Sequence, residues 1–412
     1  MIRLAMASVG NLKEGFIVDL YKLFEQFESL FSRTVEGVSS APGRVNLIGE
    51  FTDYNDGYVL PCALPFRTYV AYRKRSDNII MAYSTNYPDE CEAFELAPAI
   101  SHGMSHWGNY IRAIAYVYKM AGYQLGGMDI LISSNVPQGA GLSSSAALEV
   151  ALGGAINQAF ELDLTLEKIA LLGQQAENYF LGCQCGIMDQ LVSAKAIKNQ
   201  ALMIDCMSLA IEHFSVPEEL ALIVINSNFP RKLVESEYNQ RRRDCMNAAA
   251  KMGVSTLRQA SLSLLEESRA LMTLNEYKRA HHVITENRRV LQAAKALQDN
   301  NLEVLSELMA ESHTSLRDNF EVTVAVTDGL VDICHSALGA DCATRMTGGG
   351  FGGAVICICR HGDVPKIVEA VSSQYNKYFG LQETIYVVNA AGGLMTTLGT
   401  SRSALVNEEF LP

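Results

Sequence analysis

The 412-residue sequence has a single tryptophan, Trp107, and little charge for its size, with 19% charged residues against 49% hydrophobic. That balance excludes a disordered chain and predicts compact domains, with enough length for two of ordinary size. Positive charge is the scarcer sign, 33 Lys and Arg against 45 Asp and Glu, for a formal net charge of −12. Nucleic acid and anionic membrane surfaces are therefore not expected partners, and the arginine run at 241–243 fits a helix surface. No run of 18 apolar residues is present, which excludes a plain transmembrane helix. Lys13 and Glu14 interrupt the short apolar start, so no secretory signal is read there and a cytoplasmic protein is expected.

Metal and disulfide signatures are missing as well. Ten cysteines in a chain this long do not make a disulfide scaffold, and reduced, mostly buried thiols are expected. The closest pairs, Cys183/Cys185 and Cys357/Cys359, are spaced by two, so no Cys-x-x-Cys zinc knuckle exists. The eight histidines contain no His-Glu-x-x-His, and the neighbours His281 and His282 lie in a helical stretch where they point to different faces. A Walker loop and the protein-kinase motifs are also absent, so any nucleotide would need another kind of phosphate loop.

What is present is a mixture of strand and helix signals in both halves. Strand-like runs rich in β-branched residues begin at Asp129 ("DILISSN"), Leu64 ("LPFRTYVAYR"), Ala221 ("ALIVINS") and Gly353 ("GAVICIC"). Between the last two lies a mostly helical region, where Val283, Ile284, Val290, Leu291, Ala294 and Leu297 recur near the 3.6-residue period. Near the start, Ile17, Leu20, Phe24, Phe27, Leu30 and Phe31 predict an amphipathic helix packed on the first domain. No internal repeat is evident, and "SVPEEL" before the strand at Ala221 places a domain boundary near Glu219.

Four motifs carry chemistry. "PQGAGLSSSAA" (137–147) sets glycines and serines before a helix, where exposed N–H groups and the helix dipole favour an anion such as phosphate. Serine hydroxyls there can also ligate Mg²⁺. "TGGGFGG" (347–353) has five glycines in seven positions, so something is expected to approach its backbone closely. "QQAENYF" and "CGIMDQL" carry Glu177 and Asp189, twelve residues apart and suited to a metal-ligating and a hydroxyl-facing role. "APGRVNLIGEFTDYNDG" puts Arg44 close to a cluster of short acceptors around one large ring, Phe51.

These stretches, with "INSN" and "SEYN" further on, resemble in order and spacing the galactokinases of the GHMP small-molecule kinase superfamily. The Gly-Leu-Ser-Ser-Ser motif is that of the superfamily, and Gly-Arg-Val-Asn-Leu-Ile-Gly-Glu points to galactokinases within it. The resemblance runs from about residue 41 to the last strand. It implies an α+β fold of two domains, ribosomal-S5-like over 1–219 and ferredoxin-like over 220–412, with the nucleotide between them. It also implies ATP-dependent phosphorylation of galactose at its C1 hydroxyl, with Mg²⁺ as cofactor and a monomer or weak homo-oligomer as the working form.

Carried over by motif, Gly139, Ala140, Gly141, Leu142, Ser143, Ser144 and Ser145 would wrap the phosphates, and Ser145 and Glu177 would hold Mg²⁺. Trp107 resembles the adenine-side aromatic. Asp189 matches the catalytic aspartate beside the sugar's C1 hydroxyl and Arg44 the arginine next to it. Glu50, Asp53 and Tyr238 match sugar contacts, together with Thr52, Phe51 and the Gly186 backbone. Phe51 departs from the pattern, since the galactokinase signature ordinarily has His there, and its loss removes a hydrogen bond to the sugar. Two other readings belong to the same fold: an N-acetylgalactosamine kinase, which needs room around C2, and a non-catalytic sugar sensor. The string "EFTDYN" favours plain galactose over the first, and the intact "GLSSSAA" with Arg44 and Asp189 speaks against the second.

Overall fold

The computed structural model describes residues 18–230 and 234–399. In chain order the first half contains α1 (Leu20–Phe31), β1 (Gly37–Asn46), β2 (Tyr58–Val59), β3 (Pro61–Lys74), β4 (Ile79–Ser84), β5 (Tyr87–Glu95) and α2 (Gly108–Met120). It continues with β6 (Met128–Ser134), α3 (Ser144–Ala159), α4 (Leu166–Gln175), α5 (Met188–Lys195), β7 (Gln200–Asp205) and β8 (Ala210–Ser215). The second half begins with β9 (Leu220–Asn226), α6 (Val234–Lys251), α7 (Leu262–Glu267), α8 (Leu274–Gln298), α9 (Leu302–Ser315) and α10 (Ala325–Leu338). It ends with β10 (Ala343–Thr347), β11 (Ala354–Arg360), α11 (Val364–Phe379), β12 (Thr384–Val388) and β13 (Met395–Leu398).

Local sequence explains the main elements. Asp19 caps α1 by accepting from the Lys22 N–H, and the helix buries Leu20, Leu23, Phe24 and Phe27 as its period predicts, while Ile17 falls outside the described residues. β4 alternates between buried and half-buried positions, whereas β9 is buried along its whole length because helices and a second layer cover both its faces. On α8, Val283, Val290, Ala294 and Leu297 are buried as expected, but Leu291 is exposed. A capping box between Thr273 and Glu276 starts that helix.

The described residues form three sheets, ordered β13-β1-β3-β6-β4-β5, β10-β11-β9-β12 and β2-β7-β8, in which β4 and β6 pair in parallel. The last strand crosses the 219/220 division, because β13 pairs with β1 in the register Gly37 to Leu398 and completes the first sheet. Arg67 pins that return by donating to the carbonyls of Gly392 at 2.9 Å and Gly393 at 2.6 Å. One apolar cluster joins Val45, Leu47, Ala140 and Leu142 of the first half to Leu222, Val290 and Ile356 of the second. The two halves thus share a core, and the loops between them rest on it.

Candidate active site

A cavity of about 220 Å³ opens where these loops meet. One wall is the 139–145 loop. Its backbone enters α3 through Ser143, which sits in the left-handed region at φ 60°. The Ser143 hydroxyl does not cap the helix but donates to Asp189 Oδ2 at 2.6 Å. The first N–H groups of α3 are therefore left pointing towards the cavity with their share of the helix dipole. Gly348 closes this wall from the second half: at φ +80°, a Cβ placed there would lie 2.7 Å from the Gly141 carbonyl oxygen. The partner expected for the glycine-rich run is thus the other loop's own backbone.

Asp189, in the first turn of α5, faces Arg44 of β1. Arg44 donates from Nε to Oδ1 and from Nη2 to Oδ2, both at 2.7 Å, and its Nη1 reaches the Gly141 carbonyl at 2.8 Å. This fork is the strong, planar form of a charge-assisted pair. The Arg44 side chain is 6% exposed and that of Asp189 is 29% exposed, so the carboxylate, though bonded at both oxygens, is still open to the cavity it lines.

The 46–57 loop forms the opposite wall. Burial pushes the Glu50 carboxyl above its ordinary value, although Arg345 and the Gly348 N–H act to lower it. Arg345 donates to Glu50 Oε2, and Gly348 N–H to Oε1 at 3.0 Å. Asp53 is raised to about 6, first by burial and then by the neighbouring charge of Asp189. Gly186 packs on it so closely that a Cβ there would fall 2.0 Å from Asp53 Oδ2. Thr52 donates to its own loop, at the carbonyls of Gly49 and Tyr58, and does not line the cavity.

Phe51 takes a left-handed backbone conformation, φ 68°, which costs a non-glycine residue roughly 1–3 kcal/mol. Its ring offsets this by stacking on Phe320, with centroids 4.4 Å apart and 24° between planes, and by touching Tyr238 at 5.7 Å. Phe51 also lines the cavity. Helix α8 holds the loop from behind. The buried His282 is 3.1 Å from the Glu50 carbonyl and 2.9 Å from the Ser315 hydroxyl, Glu286 accepts from the Gly49 N–H, and Asn287 accepts from the Tyr58 N–H. Burial holds the His282 imidazole down at about 4, so it is neutral at physiological pH. Burial alone would raise Glu286, but Arg289, His282 and Arg345 hold it at about 2.

Glu177, in the π-helical turn after α4, and Ser145 both line the cavity. Glu149 lies beside Glu177, fully buried, and its Oε2 accepts from Gln190 at 3.0 Å. Burial, then Glu177, pushes the Glu149 carboxyl well above its ordinary range. A hydroxyl and a carboxylate facing the anion-binding loop are hard oxygen donors of the kind Mg²⁺ takes, with substrate phosphates and water completing the shell.

Trp107 is not in this cavity. It lines an adjoining one of about 240 Å³ with Tyr87, Tyr110, Gln138 and Leu148, and the two cavities meet at Ser144 and Ser145. Its indole N–H donates to Glu90 at 2.7 Å, and its ring lies parallel to Tyr87 at 6.2 Å. The main cavity brings together Arg44, Glu50, Phe51, Asp53, Gly139, Gly141, Leu142, Ser143, Ser144, Ser145, Glu177, Gly186, Asp189 and Tyr238. Ala140 lies beneath it, fully buried. Sequence reasoning missed Arg345 and Arg242. Arg345 sits two residues before the glycine run, where an arginine in a buried strand signals a carboxylate partner. Arg242 lies over the Tyr54 ring and donates to the Gln184 carbonyl at 2.6 Å.

Comparison with known proteins places three family models along the chain. The galactokinase galactose-binding signature matches residues 25–74, the GHMP kinases N terminal domain 109–196 and the GHMP kinases C terminal domain 293–377. The structure of Lactococcus lactis galactokinase complexed with galactose is 33% identical, with a TM-score of 0.88 over 91% of this chain and 99% of that one. The Methanococcus jannaschii mevalonate kinase, 15% identical, shares the fold with a TM-score of 0.62 over 87% of this chain and all of its own. The Lin0012 protein from Listeria innocua, 16% identical, does so at 0.65 over 88% of this chain and all of its own.

Proposed function

The chain belongs to the galactokinase family, and we propose that it transfers the terminal phosphoryl group of ATP to the C1 hydroxyl of galactose, giving galactose 1-phosphate and ADP. The observation that carries the reading is the Arg44–Asp189 fork, set between the anion-binding loop and the acceptor-rich wall of one cavity. In the reaction the bond from the sugar's O1 to the γ-phosphorus forms as the β,γ-bridging bond breaks, and the O1 proton passes to Asp189. A loose phosphoryl-transfer transition state leaves the nucleophile little bonded until late, so it needs little help from a base. Asp189 therefore orients the hydroxyl and accepts its proton late. Arg44 stabilises the negative charge on Asp189 and on the transferring group.

Ser145 and Glu177 would hold Mg²⁺, which when bound neutralises charge on the β- and γ-phosphate oxygens. The α3 N–H groups and the Ser144 hydroxyl bind the phosphates, and the Trp107 cavity takes the base. Asp53, Tyr238 and the Phe51 edge meet the sugar, while Glu50 keeps the loop in place through Arg345. The same reading makes the protein a cytoplasmic monomer or weak homo-oligomer. Among the described residues no helix is long and apolar enough to cross a membrane.

The test is a coupled ADP-release assay over galactose, 2-deoxygalactose, talose, N-acetylgalactosamine and glucose. Turnover is expected with galactose above the other sugars. Preference for N-acetylgalactosamine, or binding of galactose and ATP without ADP release, would overturn the assignment.

A further inference from the structure

The sequence spaces Cys183 and Cys185 by two, and the reaction uses neither. All ten cysteines are free thiols, and their settings differ. Cys342 and Cys357 lie 3.3 Å apart but are sealed in the second sheet's core, and Cys91 is exposed at a distance from the cavity. Cys183 and Cys185 alone combine proximity with access: both are half-buried and both line the active-site cavity. The Cys185 N–H donates to the Cys183 carbonyl at 2.9 Å, a tight three-residue turn that draws the two Cα atoms closer than an extended chain would. The Cys185 thiol donates to Asn178 Oδ1 at 3.8 Å.

We propose that Cys183 and Cys185 form a dithiol modification site in the cavity wall, which a peroxide closes to an intramolecular disulfide that disables sugar binding. In the first step the Cys183 sulfur attacks a peroxide oxygen, the O–O bond breaks, and a sulfenic acid and water result. The Cys185 sulfur then displaces the sulfenic oxygen as a second water, so two thiols lose two hydrogens and two electrons while one hydrogen peroxide is reduced.

The loop has no slack to absorb this closure. Helix α6 grips it from the other half, Asn239 accepting from the Gln184 N–H at 3.2 Å and Arg242 donating to the Gln184 carbonyl at 2.6 Å. On its far side Gly186 is pressed against the Asp53 carboxylate. A shift of the 183–185 turn is therefore passed to Gly186 and Asp53.

The experiment treats the full chain with hydrogen peroxide, blocks remaining thiols, and reads both the mass of the peptide spanning 182–195 and galactose phosphorylation. That peptide is expected to lose two hydrogens, and kcat/KM for galactose to fall at least tenfold, mostly through KM. Dithiothreitol should restore both, and prior galactose should slow the change. Cys183→Ser and Cys185→Ser, each compared with its own reduced activity, should resist, whereas Cys91→Ser should respond like the parent. Activity lost while both thiols stay free, or equal loss in Cys183→Ser, would overturn the site. A disulfide with unchanged KM would overturn its link to the sugar. That link rests on the galactokinase reading, but the mass change does not, so failure of one is distinguishable from failure of the other.

Discussion

Asp189 and Glu50 are both carboxylates on the wall of one cavity, each paired with an arginine, yet the fold buries them to very different depths. Asp189 meets Arg44 within the first half of the chain and keeps 29% of its side chain exposed. Glu50 meets Arg345 across the two halves with 3% exposed, and Gly348 takes its other oxygen. Both oxygens of each carboxylate accept hydrogen bonds, so what separates the two is exposure: the more exposed Asp189 is the better placed to meet a substrate hydroxyl. The difference shows that carboxylates with equal standing in a motif are separated by how deeply the fold buries them.

The largest expected effect lies at Asp189. Replacing it with Ala should lower kcat by about 10²- to 10⁴-fold, the usual worth of a positioned proton acceptor, with little change in KM for galactose. Steady-state kinetics decide it, and a variant with wild-type kcat removes Asp189 from the mechanism. Arg345→Met should do the reverse. It strips the buried Glu50 of its cation and leaves only the Gly348 and Thr347 donors, at a cost of about 3–5 kcal/mol, visible in urea unfolding. Arg44→Met should cost less stability, because water can reach Asp189, and more turnover. Equal stability losses for the two arginine variants would dissolve the distinction.

Asp53 stands between these cases. Its carboxyl rises from an ordinary 3.8 to about 6, so the folded state holds the proton more tightly than the unfolded chain does. The associated stability is complete below 3.8 and is lost as pH rises through 6. Asp53→Asn should therefore gain on the order of 2–3 kcal/mol over the parent at pH 7.5 and almost nothing near pH 3.5. Its KM for galactose should be high at every pH, while the parent's should climb only below about pH 6. A parallel pair of stability-pH curves would place the Asp53 titration elsewhere.

Much of the catalytic end was legible because its chemistry is local. The strand, the small-residue loop and the helix around Ser143 to Ser145 are contiguous, and Arg44 and Asp189 each sit in a dense motif. The sugar-loop end was less so. Its supports, His282, Glu286 and Arg345, are each more than 230 residues from the groups they bind and lie in stretches that read as ordinary core. The glycine run announced a close approach but not that Gly141 was the partner, since strand and loop periodicity carry no record of contacts 207 residues apart. The return of β13 to β1 was hidden for the same reason, four residues of strand being too short a signal to assign to a sheet.

Phe51 carries the smallest expected effect, and the most specific to this chain. Its ring is both a stacking partner of Phe320 and part of the cavity lining. Histidine tolerates the left-handed φ at least as well and keeps a ring over Phe320, but places a polar edge in a cluster that contains Leu316, Val322 and Met346. Phe51→His should thus cost about 1 kcal/mol of stability and return one hydrogen bond to a sugar hydroxyl. A bond to an uncharged hydroxyl is worth roughly 0.5–1.5 kcal/mol, so KM for galactose should fall by up to about tenfold while kcat holds. An unchanged or higher KM would mean that the Phe51 edge shapes the cavity without standing in for a lost contact.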